Sequence, residues 1–154
     1  MFTEEVIRSI KKSVLCWLAS ADADGFPNVS PKEMFTYEGD DLLLIANIAS
    51  PNSVNNILQN NKVCVSFVDI LLQKGFKLKG LARVIPKEDV DFKYKAALLT
   101  GLFSDVFPIQ SIIEVTVTKT ERILAPRYFL FPETTEAEQI ESAKRTYGFT
   151  AEES

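Results

Sequence analysis

A cluster of small polar side chains stands where an apolar stretch passes into a helical pattern. Residues 45–57 read IANIASPNSVNNI, so that Ser50, Asn52 and Ser53 surround Pro51 at the start of the helix. Serine followed by proline favours a helix start, because the side-chain oxygen caps free amides and proline has no first-turn amide to lose. A helix N-terminus among hydroxyl and amide groups is also a natural seat for a phosphate. The spacing leaves both interpretations open, a helix cap and an anion site.

Other chemistry is poorly represented in the chain. There is no histidine, which removes the commonest general base, the commonest metal ligand and every imidazole-dependent triad. No P-loop and no G-x-G-x-x-G motif is present. Glu33, Asp69 and Glu114 are the carboxylates inside apolar runs, and none has a neighbour at a spacing that indicates a catalytic pair. We therefore name no catalytic residue, predict no metal site, and expect any reactive group to belong to a bound cofactor.

The composition is that of one globular domain spanning 1–154. Of the 154 residues, 46% are apolar and 25% are charged, which is enough to bury a core, and the net charge of −4 disfavours general nucleic-acid binding. Cys16 and Cys64 lie in alternating apolar runs without a short metal or redox spacing, which predicts buried thiols. The opening MFTEEVIRSIKK has neither a signal-peptide core nor a membrane span, so we expect a cytoplasmic protein without membrane contact.

The elements that must position the polar cluster follow from hydrophobic periodicity and turn signals. The predicted helices cover residues 3–12, 50–61, 87–102 and 135–147, and the predicted strands cover 13–21, 26–38, 42–48, 62–70, 75–85 and 111–124. Mostly β chain with helices inserted between strands is typical of a small closed or nearly closed barrel. The segment APRYFLFPETT between the last strand and the last helix is predicted to be irregular.

Side-chain alternation assigns faces within these elements. Val54, Ile57 and Leu58 are expected on the inner face of the second helix. In GFKLKGLARVI the apolar positions alternate with Lys77 and Lys79, which share one face. The aromatic residues of the strands are expected in the core; these are Trp17, Phe35, Phe67 and Phe76.

Five segments, taken in order, carry a family resemblance. These are DADGFPNVSPKEMF, LLLIANIASPNSVNNI, KVCVSFVD, GFKLKGLARV and IIEVTVTKTERILAP. The order resembles the FMN-binding split-barrel family, which includes pyridoxamine 5′-phosphate oxidase-like proteins and small bacterial FMN-binding proteins. The resemblance covers about residues 14–126 and leaves 127–154 as a C-terminal extension. It implies a mainly β, six-stranded antiparallel split β-barrel with short inserted helices, and a homodimer that holds FMN in a groove between its subunits.

The resemblance also implies where the cofactor would lie. The phosphate would sit at the start of the second helix, near Ser50, Asn52 and Ser53. Other contacts would come from the second strand and from the exit of the third; the positions are Ser30, Pro31, Lys32, Ala46, Asn47 and Ile48.

The helix start departs from the family pattern. Many members carry Arg or Lys where this chain has Asn52 and Ser53, and hydrogen bonds to a charged group are roughly twice as strong as neutral ones. Either another cation replaces these basic residues, or the affinity for the cofactor phosphate is lower. Lys32, Lys77 and Lys79 are the candidates, the last two being equally compatible with ordinary solvated lysines.

Two functions from different classes follow. The first is an FMN-dependent oxidoreductase or electron carrier of unknown substrate, with NAD(P)H or a small molecule as the possible electron donor. The alternative is a non-catalytic module that binds or senses a flavin or another phosphorylated ligand. Arg127 and Tyr128, in the proline-bounded segment after the last strand, are candidates to close over a flavin ring or to lie in a dimer interface.

Overall fold

The computed structural model describes residues 1–103 and 105–149. Within these residues, seven strands are interspersed with five helices. In order they are α1 Glu4–Lys12, β1 Cys16–Ala21, β2 Pro27–Lys32, β3 Phe35–Glu38, β4 Leu42–Asn47, α2 Pro51–Gln59, β5 Lys62–Asp69, β6 Lys74–Pro86, α3 Phe92–Leu102, β7 Ser111–Leu124, α4 Pro126–Leu130 and α5 Glu136–Tyr147. The predicted extension 127–154 is therefore partly helical, and its residues 150–154 lie outside the described part of the chain.

All seven strands belong to one antiparallel sheet in the order β2-β1-β5-β6-β7-β4-β3. The mainly β, antiparallel split-barrel prediction is confirmed, but the number of strands is seven rather than six. The stretch predicted as one strand over 26–38 is divided at Glu33 and Met34, because its first half pairs with β1 and its second half with β4. β2 and β3 are thus the two opposite edges of the sheet, joined by only two residues. Such a short link requires the sheet to curl until its edges lie close together.

The core is divided between the two faces of the curled sheet. Inside the barrel, three phenylalanines of the strands pack together as predicted, namely Phe35, Phe67 and Phe76. On the other face, Leu44 of β4 packs with residues of α3 such as Leu99. β4 is buried on both faces, which explains why it reads as a continuous apolar run rather than as an alternating one.

Two predicted core residues lie at the surface. Trp17 is 44% exposed, because it points outward from β1 while its neighbours Cys16 and Leu18 point into the barrel. Leu58 is 70% exposed, and the inner face of α2 is instead formed by Ser53 and Ile57. In both cases the apolar residue type predicted burial, but the side of the strand or helix on which the residue falls determines its exposure.

The ends of the helices differ modestly from the predictions. α3 begins at Phe92 rather than at residue 87, and the segment predicted to be irregular contains the five-residue α4. Tyr128 in α4 donates a hydrogen bond to the Leu72 carbonyl at 2.7 Å, which fastens the extension to the β5–β6 turn. α5 is confirmed, with a capping box at Thr135 and Glu138 and a left-handed Gly148 at its end.

Within the described residues, no helix is both long and apolar enough to cross a bilayer.

Candidate functional site

The end of β2 and the start of α2 meet through paired polar side chains. Ser30 and Lys32 are two residues apart on β2 and therefore point to the same side. The Ser30 and Ser53 hydroxyl oxygens lie 3.0 Å apart, and Lys32 Nζ donates a hydrogen bond to Ser50 Oγ. Four of the predicted site residues are thus brought into one cluster, which we call the β2–α2 cluster: Ser30, Lys32, Ser50 and Ser53.

The start of α2 is held by Asn47 rather than by the serine that precedes the helix. Asn47 Oδ1 accepts a hydrogen bond from the Ser50 amide at 3.0 Å, while Asn47 Nδ2 donates to Ser111 Oγ at 2.9 Å. Ser50 is the N-cap residue by position, but its side chain makes no capping hydrogen bond. The prediction that the Ser50 side chain caps the helix amides is therefore wrong, although Ser50 does stand at the N-cap position. The Ser50 hydroxyl is committed to Lys32, and the orientation of the helix start depends on the last residue of β4.

A second hydrogen bond fixes α2 on the barrel. Asn56 Nδ2 donates to Ser20 Oγ of β1 at 3.1 Å, one turn beyond the buried Ser53. Ser53 is only 1% exposed, so its hydroxyl faces β2 and not solvent. The helix is thereby oriented with its N-terminal amides toward the end of β2, where they favour negative charge.

An open cavity of about 450 Å³ adjoins the β2–α2 cluster. This volume lies within the usual range for small-molecule sites. Five predicted site residues line it, namely Pro31, Lys32, Ala46, Ile48 and Ser50. The remaining lining residues are Glu33, Met34, Ala49, Phe103 and Phe107. The lining combines an apolar wall with the Lys32 amine, the Ser50 hydroxyl and the solvent-exposed Glu33 carboxylate. A planar ligand whose anionic end lies toward the amine and the hydroxyl suits this arrangement.

Lys32 carries the main electrostatic signal of the site. The residue is only 6% exposed, and burial lowers the pKa of its amine. Burial in turn raises the pKa of Cys16 to about 12, so at neutral pH this thiol is uncharged and supplies no counterion. Among the described residues, no carboxylate lies within ion-pair distance of Lys32. A buried cation without an internal counterion is costly unless an anion joins it.

Lys95 shows what a compensated buried lysine looks like in the same fold. Its Nζ lies 2.6 Å from Glu114 Oε2 and 2.5 Å from Glu38 Oε2. Burial lowers the pKa of Lys95, but hydrogen bonds to Glu114 and Glu38 raise it more, so the net direction is upward. The contrast indicates that the absence of a carboxylate at Lys32 is specific to that position.

Three other predicted site residues are not part of this cluster. Asn52 is exposed on the outer side of the first turn of α2. Lys77 and Lys79 share one face of β6, as predicted, and approach Glu121 at 3.2 and 3.5 Å. None of their contacts joins these two lysines to the start of α2. Lys79 instead lines a separate shallow cavity of about 480 Å³ on the outer face of the sheet.

Sequence reasoning missed Ser111, Phe103 and Phe107. Ser111 stands opposite Asn47 in the β4–β7 register, a relationship that only the strand pairing reveals. The two phenylalanines follow α3 along the chain and reach the cavity through the packing of that helix against β4. No local motif marks any of the three.

Comparison with known proteins assigns the chain to a class. The sequence profile of the pyridoxamine 5′-phosphate oxidase family matches residues 2–124, and the chain belongs to that family. None of the curated proteins searched matches the sequence.

Solved structures show the same fold. The protein HupZ from Group A Streptococcus, at 21% identity and a TM-score of 0.70, aligns over 81% of this chain and 96% of its own. An FMN-binding protein from Syntrophomonas wolfei subsp. wolfei, at 15% identity and a TM-score of 0.66, aligns over 79% of this chain and 86% of its own. A protein of the pyridoxinephosphate oxidase family from Clostridium acetobutylicum, at 16% identity and a TM-score of 0.61, aligns over 80% and 91%.

Proposed function

We propose that this chain binds FMN and acts as a flavin-dependent oxidoreductase or electron carrier. Membership of the pyridoxamine 5′-phosphate oxidase family supports a flavin-type cofactor, and the observation that carries the proposal is the uncompensated, buried Lys32 at the hydroxyl-lined start of α2. A phosphate there would supply the missing counterion for the amine. FMN, when bound, supplies reversible hydride and electron transfer.

Each residue of the β2–α2 cluster has a definite part in holding the phosphate. Lys32 supplies the positive charge that many relatives place on the helix itself, and Ser30, Ser50 and Ser53 supply hydroxyls. Asn47 keeps the amides of α2 aimed at the same point through its bond to the Ser50 amide. The exposed Asn52 contributes an uncharged side chain at the outer rim. The apolar part of the cavity, with Met34, Ala46 and Ile48, excludes water from the side of the ring.

The proposal includes a homodimer. The outer face of the sheet carries Trp17 beside Pro31 and Ala19 beside Val29 in neighbouring strands, all pointing away from the core. Pro31 also lines the cavity, so this apolar strip is continuous with the cavity mouth. A second copy seated on the strip would cover exposed aromatic surface and complete the wall of the cavity at the same time.

Titration of the purified protein with FMN tests the proposal. We expect saturable binding followed by flavin absorbance and fluorescence, and Lys32→Met to weaken it about 10- to 100-fold, since hydrogen bonds to charged groups contribute about 1.5–3 kcal/mol. Lys62→Met is the matched control, because Lys62 is an exposed lysine outside the cavity. A protein that takes up no FMN would overturn the proposal, and equal affinities in the two variants would remove Lys32 from it.

A sensing module is the second candidate, and one observation favours it. The start of α2 offers no positively charged side chain, so a single amine has to hold the phosphate. Weaker retention suits a protein that responds to the concentration of its ligand. Loss of flavin absorbance when NADH or NADPH is added would favour the enzyme, whereas bound flavin that resists both reductants would favour the sensor.

A further inference from the structure

The chemistry of Lys32 extends beyond the attraction of an anion. Lys32 and Lys95 are the two buried lysines of the described chain, and only Lys95 has carboxylate partners. In the ligand-free protein, a desolvated amine without a counterion loses its proton more readily than a solvated one and is then nucleophilic, whereas a bound anion favours its charged form. Lys32 also lines an open cavity, so a small molecule reaches it without unfolding of the chain.

The surroundings of the amine are almost entirely uncharged. Cys16 faces it from β1 as a neutral thiol, Ser50 faces it from the start of α2, and Ala46 and Ile48 line the cavity from the exit of β4. Glu33 lines the same cavity but is exposed, and it makes no ion pair with Lys32. The hydroxyls of Ser30 and Ser53, with the helix amides, form the nearby anion-favouring end.

We propose that Lys32 is a carbonyl-reactive amine that condenses with small anionic aldehydes through the cavity at the end of β2. Nζ would attack the aldehyde carbon to form a carbon–nitrogen bond, and the carbonyl oxygen would leave as water, giving an imine. The anionic end of the aldehyde would lie toward the hydroxyls of the β2–α2 cluster. Ser50 Oγ, already hydrogen-bonded to Nζ, is placed to exchange a proton with the amine during the loss of water. The step requires no oxidant or reductant and is independent of flavin binding.

Trapping with glyoxylate tests this inference. The full-length protein is incubated at neutral pH with glyoxylate and a borohydride, which reduces the imine to a stable secondary amine, and peptide mapping by mass spectrometry locates the label. We expect labelling of Lys32 ahead of exposed lysines such as Lys62, which lie outside the cavity and its anion-favouring end, and no labelling of the ion-paired Lys95. Lys32→Arg keeps a positive charge but cannot form the imine, so we expect loss of this label.

Two controls separate reactivity from general exposure and from flavin binding. Propanal, an uncharged aldehyde of similar size, should label Lys32 more slowly relative to Lys62 than glyoxylate does. Inorganic phosphate should slow glyoxylate labelling at Lys32 and leave labelling at Lys62 unchanged. Label spread evenly over exposed lysines, or absent from Lys32, would overturn the inference. If glyoxylate labels Lys32 in a protein that takes up no FMN, the proposed function fails while this inference stands.

Discussion

Lys32, the last residue of β2, donates a hydrogen bond to Ser50, the residue before α2, and this contact joins the edge of the sheet to the start of the helix beside the Ser30–Ser53 pair. The two residues are 18 positions apart in sequence. Their contact places a buried amine beside the helix amides and at the edge of a cavity of about 450 Å³. The consequences of this arrangement, and of other contacts in the fold, can be measured.

Lys32→Met should stabilise the ligand-free protein by about 1 kcal/mol, because it removes a buried charge that has no internal partner. The folded-state pKa of Lys32 is lowered from 10.5, so folding favours loss of its proton and the protonated amine costs stability. The gain in the variant should therefore be constant below the folded-state pKa and shrink as pH rises toward 10.5. Urea unfolding of both proteins across this range measures it. A variant less stable than the wild type would contradict the assignment of an uncompensated charge.

Glu114→Gln should destabilise the protein by about 3–5 kcal/mol, because it breaks a buried ion pair and leaves Lys95 without its main partner. The same carboxylate accepts a hydrogen bond from Arg83 Nε at 2.6 Å. Burial raises the pKa of Glu114, but hydrogen bonds from Arg83 and Lys95 outweigh it and lower the pKa overall. This contribution is therefore present above pH 4.5 and is lost as pH falls through the folded-state pKa.

Adding Lys95→Met to Glu114→Gln should recover part of that loss, since no buried charge then remains unpaired at α3. Denaturant unfolding of the two single variants and the double variant gives the coupling energy. If the losses are simply additive, the pair does not act as a unit.

Trp17→Glu should convert the proposed dimer into a monomer without unfolding it, because this 44% exposed ring lies on the outer face of β1 rather than in the core. Sedimentation or light scattering reports the mass, and circular dichroism reports the fold. Val90→Glu is the control, because it introduces the same charge at an exposed apolar residue in a different part of the chain. A wild-type protein that is already monomeric would rule out the dimer.

Asn47→Ala should cost about 1–2 kcal/mol of stability and weaken FMN binding as well, because the amide both caps the start of α2 and bonds Ser111. Asn52→Ala should leave stability unchanged, since Asn52 is exposed, and should weaken only the proposed phosphate contact. Thermal unfolding and FMN titration of both variants distinguish a residue that positions α2 from one that contacts the phosphate directly. Equal effects of the two substitutions on stability would contradict the role given to Asn47.

Local patterns sufficed to predict most of the architecture. The alternation around Lys77 and Lys79 gave the correct faces of β6, and the cap and glycine signals gave both ends of α5. The division of the second predicted strand was missed because residues 26–38 have one continuous extended pattern, while the change of pairing partner at Glu33 and Met34 is a property of the whole sheet. Trp17 was misplaced for a related reason. Its residue type indicates burial, but which alternate residues of β1 point into the barrel depends on how the strand sits in the sheet.

The candidate site was likewise predicted only in part from the sequence. The residue types near α2 indicated an anion site, and the resemblance pointed to Ser30 and Lys32 on another strand. Their pairing with Ser53 and Ser50 is a tertiary relationship. Spacing alone left Lys77 and Lys79 as candidate cations that were equally compatible with solvated lysines, while the family resemblance favoured Lys32. In the structure both lysines pair with Glu121 on the neighbouring β7 instead. The role of Asn47 depends on its register with Ser111 and has no sequence signal of its own.

Only Glu33 and Met34 carry the chain from one outermost strand of the sheet to the other. A two-residue link cannot lengthen, so any movement that separates the edge strands β2 and β3 must displace Lys32, where β2 ends. An anion bound between Lys32 and the start of α2 would hold the end of β2 against the helix. We therefore expect a ligand bound at this proposed site to resist opening of the barrel, and slower amide hydrogen exchange along β2 and β3 on binding would show this.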